Sequence, residues 1–191
     1  SRYFLKYMND ALEIYKDAPQ VMNISGYMYP LVTADLPEAF FMHYGYCWGW
    51  ATWKAAWDLF ERAPKKLIQE FTKDDIHHFN LEGAVEVWQQ VVANEEGSLY
   101  TWAVFWYAAI FRNKGLTFVP RESITLNAGM DGTGEHCGET DLYHVNLNQN
   151  PIQKFPLAIQ ELPLARERHR LFFEGQQSSF IHRLARKAKD S

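Results

Sequence analysis

Cysteine is scarce in this chain: only Cys47 and Cys137, ninety positions apart, in a sequence of 191 residues. So few thiols exclude a disulfide scaffold and a paired Cys-x-x-Cys metal or redox motif, and they lead us to expect free thiols in a reducing compartment. Long apolar runs are also missing. None approaches the roughly 20 residues that cross a bilayer, and no charged-then-apolar leader opens the chain, although Ser1 is not a natural start. Charge of one sign is nearly balanced, at −4 overall, which argues against a nucleic-acid partner. There is no serine elbow, no His-Glu-x-x-His, no phosphate-binding P-loop, no internal repeat and no low-complexity tract, so hydrolase, zinc-peptidase and solenoid readings have nothing to stand on. The expectation is a cytoplasmic chain.

Aromatic residues are plentiful. Seven Trp, ten Tyr and thirteen Phe make up 16% of the chain, and apolar residues 47%. That is enough burial to offset the conformational entropy lost on ordering. The basic residues are unevenly spread. From Glu161 onward, seven Lys or Arg stand against four acids. This separates a body, residues 1–160, from a basic helical tail, residues 161–191.

Periodicity organises the body. Phe4, Met8, Leu12 and Tyr15 recur at helical spacing up to Asp17-Ala18-Pro19. Residues Val21 to Tyr27 predict a short buried strand ending in the permissive Ser25-Gly26. From Met28 to Tyr46, two prolines and many aromatics without period predict a long loop. Trp50, Trp53, Trp57 and Phe60 predict a helix over Trp48 to Arg62. Leu81, Val85, Trp88 and Val92 predict a second, ending at Gly97. A third helix, from Leu99 to Lys114, is apolar nearly all round and so buried. The strand Leu116 to Val119 follows, capped by Pro120, and then a glycine-rich stretch from Asn127 to Gly138.

That stretch carries the densest set of reactive groups. Gly129, Gly132 and Gly134 free backbone amides to face phosphate oxygens, while Asp131, Glu135 and His136 offer acid, base or metal-ligand atoms. The same residues also make an ordinary surface turn. Arg121, at a strand end, has the planar fork that pairs with a diphosphate, though many such arginines are simply solvated. Trp48 and Trp50, at a loop-to-helix junction, are placed to stack on sugar rings, while the rest of the tryptophan ladder reads as core. His77-His78, being adjacent, point apart on a helix and read as surface. Asp74-Asp75 suit a helix start.

The ordered set NISGYMYP, WGWATWKAAW, TWAVFWYAAIFRNKGLTFVP and NAGMDGTGEHC resembles the C-terminal half of bacterial family-two, GT-A-type nucleotide-sugar glycosyltransferases of surface polysaccharide biosynthesis. The likeness spans Arg2 to Cys137. It implies an α/β fold, helix-rich with a small mixed sheet, from which the N-terminal nucleotide-binding half is absent. It also implies a nucleotide-sugar donor and a glycan or lipid-linked acceptor. In such enzymes a divalent metal, Mn or Mg, neutralises the leaving diphosphate. No Asp-x-Asp stands in this sequence, so most metal ligands are expected upstream of Ser1. The chain would then be a piece of a longer protein, inactive alone.

Carried onto matching positions, Ser25, Gly26 and Tyr27 would lie beneath the donor sugar, and Trp48, Gly49 and Trp50 would approach the acceptor. His136 would be a metal or diphosphate ligand, with Arg121 and Asn127 nearby. Where relatives place a general-base carboxylate after the tryptophan matching Trp102, this chain has Ala103 and Val104, which cannot take a proton. Asp131 and Glu135 are the replacements this implies. The alternative is a non-catalytic glycan-binding or scaffold module. Phe172, Phe173, Phe180, Ile181 and Leu184, interleaved with basic residues, further suggest peripheral contact of the tail with an acidic inner membrane surface.

Overall fold

The computed structural model describes residues 1–131 and 142–187, with side chains described for 1–129 and 142–176. Seven α-helices and a four-stranded mixed sheet make up the described part. It opens with α1 (Phe4–Ile14), whose Tyr7, Met8 and Ala11 are buried. Strand β1 (Val21–Ser25) follows, then β2 (Ala39–Met42) and the two-residue β3 (Trp50–Ala51). Four short helices come next: α2 (Lys54–Trp57), α3 (Pro64–Glu70), α4 (Lys73–Phe79) and α5 (Trp88–Glu95). The central helix α6 (Ala103–Arg112) leads into β4 (Leu116–Pro120), and α7 (Pro163–Lys187) closes the chain.

The sheet order is β2-β4-β1-β3. Strands β1 and β4 run parallel at its centre, with β2 antiparallel to β4 and β3 antiparallel to β1. Every residue of β1, β2 and β4 is buried, because both sheet faces are covered, the condition that gives near-continuous apolar strands. Alternation still assigns the faces. Phe41 and Phe118 pack with Tyr7 and Tyr15 beneath α1, while Phe40, Met42 and Val119 join the larger core under α4–α7. A register irregularity between Val21 and Asn23 sends both Val21 and Ile24 to the α1 side.

Two buried polar residues in the central strands fix what lies under the sheet. Asn23 donates through Nδ2 to the Tyr46 carbonyl at 3.0 Å, and Thr117 donates through Oγ1 to the Tyr44 carbonyl at 2.6 Å. These bonds satisfy groups that would be costly to bury alone. They hold the Tyr44–Tyr46 backbone against the strands, so its aromatic side chains have fixed directions.

Several expected elements are redrawn. The helix expected from Trp48 to Arg62 is a strand, a turn and the one-turn α2. The backbone of Trp50 and Ala51 pairs with Ser25 and Ile24 instead of coiling, and tertiary pairing overrides a spacing that mimics a helix face. The loop expected from Met28 to Tyr46 contains β2, which completes the β4 edge. The helix expected from Leu81 starts only at Trp88, since Leu81, Glu82 and Gly83 have φ of +49°, +55° and +83° and left-handed residues cannot continue a right-handed helix. The helix expected from Leu99 starts at Ala103. Helix α5 ends at Glu95, two residues before Gly97, whose φ of +76° marks the stop the glycine suggested.

Asp74 and Asp75 do open a helix. Thr72 caps α4: its side chain accepts from the Asp75 amide while the Asp75 carboxylate accepts from the Thr72 amide. We expect Thr72→Ala to cost about 1 kcal/mol. Urea denaturation checks this, and an unchanged midpoint would mean the reciprocal cap carries no net stability.

The first turns of α7 are docked. Ala165 and Phe173 enter the main core, and His169, between them on the same face, is fully buried. Arg166 pairs with Glu82 and Glu161, Arg168 with Asp35, and Arg170 with Glu167 and Glu174. Of the apolar side chains on which the membrane expectation rests, Phe173 is buried in the main core and Phe172 packs against it, so neither is turned to a membrane surface, while those of Phe180, Ile181 and Leu184 lie outside those described. Among the described residues no helix is long and apolar enough to cross a membrane.

Candidate functional site

Beyond the carboxyl end of β1 the chain makes a tight turn. Ser25 Oγ accepts from the Tyr27 amide at 3.1 Å and donates to the Tyr27 carbonyl at 2.9 Å. The Gly26 amide donates to the Gly49 carbonyl at 2.7 Å, and the Gly26 carbonyl accepts from Ile124 and Thr125 amides. A Cβ on Gly26 would stand 2.9 Å from both the Gly49 oxygen and the Phe4 ring. Gly49 itself has φ +56°, and a Cβ there would reach within 2.5 Å of Thr125. Three chain segments therefore meet backbone to backbone here, and only glycine allows that approach.

This crossing aims Tyr27 and Trp48 into one cavity of about 380 Å³. Their rings meet edge to face with centroids 4.6 Å apart. Tyr29 and Tyr143 continue the wall, and Tyr44 and Phe173 close it from the sheet and α7 sides. Tyr27 donates through its hydroxyl to the Tyr143 carbonyl at 2.8 Å. Burial pushes the hydroxyls of Tyr27, Tyr29, Tyr44, Tyr46 and Tyr107 upward, so they stay protonated donors. Ala103 and Val104, at the start of α6, face the same space, and Glu86 and Gln90 stand on its edge, both exposed.

Packed against Tyr29, Tyr44 and Tyr46 is His169, fully buried. Its Nδ1 donates to the Ala165 carbonyl at 2.7 Å, which leaves Nε2 to accept from the Tyr46 hydroxyl. Desolvation drives the imidazole down to about 4, so it is neutral at physiological pH and acts as a structural acceptor under the aromatic wall.

The residues singled out in the sequence are distributed as follows. Ser25, Gly26, Tyr27, Trp48 and Gly49 converge. Trp50 does not line the cavity. It belongs to a cluster with Trp57, Trp102 and Trp106, at centroid distances of 5.7, 5.4 and 5.8 Å. Arg121 turns the other way: its Nη1 donates to the Leu36 carbonyl at 3.1 Å, and it lines a separate groove with Glu38 and Glu122. Asn127 accepts from the Gly129 amide at 3.0 Å, closing an Asx turn. Asp131 ends a short 3₁₀ turn, but its side chain is outside those described, and Glu135 and His136 lie outside the described residues altogether. Among the described residues no three His, Cys, Asp or Glu side chains converge as metal ligands would.

Sequence reading missed Glu86, Gln90, Tyr29 and Tyr143 as parts of one site. The only local signal was the aromatic density between Met28 and Tyr46. A larger groove, about 750 Å³, opens on another side beside His43, Phe71 and Arg112. His43 donates there to the carbonyl of Gly115, at the amino end of β4. Its Arg112 and Arg166 are both committed to acids. No protein-family model, curated protein or solved structure matches this chain.

Proposed function

We propose that this chain is the acceptor-side part of a GT-A-type glycosyltransferase, with a sugar of the glycan or lipid-linked acceptor received in the cavity of Tyr27 and Trp48. The observation that carries the reading is an aromatic-walled cavity with a polar edge, placed beyond the carboxyl end of a central parallel strand. Sugars offer apolar C–H faces to aromatic planes and hydroxyls to a few polar groups, and this cavity supplies both. Open α/β sheets bind ligands beyond the carboxyl ends of their strands. A nucleoside-diphosphate sugar is the donor, and a divalent metal would neutralise its leaving group when bound.

A second reading, a non-catalytic glycan-binding module, is favoured by Ala103 and Val104, which present no acid to the cavity from α6. The two separate in one experiment. Titration with mono- and oligosaccharides, followed by saturation-transfer NMR, should detect binding that Trp48→Ala weakens about five- to tenfold, the loss of one stacking contact on the order of 1 kcal/mol. Acceptor-dependent release of UDP or GDP from their sugars then marks an enzyme. Sugar binding without release marks the module, and no sugar binding at all refutes both.

A further inference from the structure

The cavity's wall contains one carboxylate among the described residues. Glu86 comes from the segment between α4 and α5, and that segment is held in an unusual conformation. Leu81, Glu82 and Gly83 are three consecutive left-handed residues, a strain that persists only where the surroundings impose it. Leu81 and Ala84 are buried at 0% and 2% exposure. Asn80 clamps both ends of the turn: its carbonyl accepts from the Val85 amide at 3.1 Å, and its Oδ1 accepts from the Trp88 amide at 2.8 Å. Glu86 therefore rides on a fixed turn although its side chain is solvated. It makes no ion pair among the described residues, unlike Glu82 four residues before it, which is held by Arg166.

We infer that Glu86 is the group that takes the acceptor's proton, with Gln90, in the first turn of α5, holding a neighbouring hydroxyl. The inference rests on the glycosyl-transfer reading above. The other polar groups of the wall do not suit the role. Trp48 offers only an N–H donor and Gln90 a neutral amide. The tyrosine hydroxyls are retained as donors by burial, and a thiol such as that of Cys47 accepts a proton only after ionising. Ala103 and Val104 lie in the same wall, so a carboxylate from the α5 side serves a space that α6 leaves apolar.

The step balances without further reagents. The acceptor O–H proton passes to the Glu86 carboxylate, and the oxygen's electron pair forms the new bond to the donor's anomeric carbon. The anomeric carbon–oxygen bond breaks, and its pair leaves with the nucleoside diphosphate.

The test measures nucleoside diphosphate release by the full-length polypeptide. UDP-glucose and GDP-mannose serve as donors, and methyl glycosides of glucose, galactose and mannose as acceptors. Glu86→Gln is expected to lower kcat at least 100-fold while the acceptor KM stays within about threefold, with Glu86→Asp recovering part of the rate. Because Glu86 is exposed, an unchanged unfolding midpoint is expected and is measured alongside. A kcat within threefold of the parent protein overturns the assignment, and so does a raised KM at constant kcat, which would make Glu86 a binding group only. A parent protein that binds sugars yet releases no nucleoside diphosphate overturns the transfer reading itself, and the role of Glu86 falls with it.

Discussion

Replacing Trp106 with alanine is expected to lower the unfolding free energy by about 3–5 kcal/mol. Trp106 is 1% exposed, packs against Trp50 and Trp57, and borders the aromatic cavity. Its indole also donates to Asn23 Oδ1 at 3.4 Å, so truncation opens a void and removes a partner from a polar residue buried in the central strand. Trp57 is the control. It belongs to the same cluster but is 38% exposed, and Trp57→Ala should cost on the order of 1–2 kcal/mol because part of its surface is already in water. Urea unfolding of both variants decides the matter. Equal losses would mean that the cluster acts as a surface patch and not as a graded core.

The second large effect is acid destabilisation through His169. The buried imidazole is held down to about 4 from an ordinary 6.5. Below pH 6.5 the unfolded chain therefore takes up a proton that the folded chain refuses, and stability falls as pH falls. The loss is complete near pH 4, where the folded form also protonates, and amounts to about 3 kcal/mol. Protonation would also oblige Nε2 to give up its bond from the Tyr46 hydroxyl and place a cation among Tyr29, Tyr44 and Phe173. The comparison is between the parent protein and His169→Gln, each unfolded in urea at pH 7 and pH 4.5, so that contributions common to both cancel. The variant should lose distinctly less stability between the two conditions. An identical slope, or a His169 ring resonance titrating near 6.5, would contradict the burial argument.

Local chemistry made some features readable in advance. The opening helix, the two central strands and the α4 start were legible because their signals are short-range: an apolar repeat, β-branched and aromatic runs bounded by Gly or Pro, and a pair of aspartates suited to a helix start. The buried character of α6 followed from side chains that are apolar nearly all round. The stretch from Trp48 to Arg62 misled for a physical reason. Aromatics three and four apart mark a helix face, yet they equally serve a strand end followed by a single turn when several distant rings must be covered at once. Likewise nothing local in Leu81-Glu82-Gly83 announces left-handed backbone at two non-glycine residues. That geometry is imposed by the burial of Leu81 and the grip of Asn80.

By itself the sequence determined a mixture of helices and strands, the buried centre, the permissive Ser25-Gly26 at a strand end, and the basic character of the chain's end, since each depends on residues close along the chain. Only the tertiary structure decided which aromatic rings face one another across a cavity, that Trp48 enters it while Trp50 joins a tryptophan cluster, that Arg121 turns toward Leu36, and that Glu86 stands at the edge. Those facts depend on pairings between segments twenty to a hundred residues apart, and such pairings are chosen by the packing of the whole core rather than by any stretch read alone.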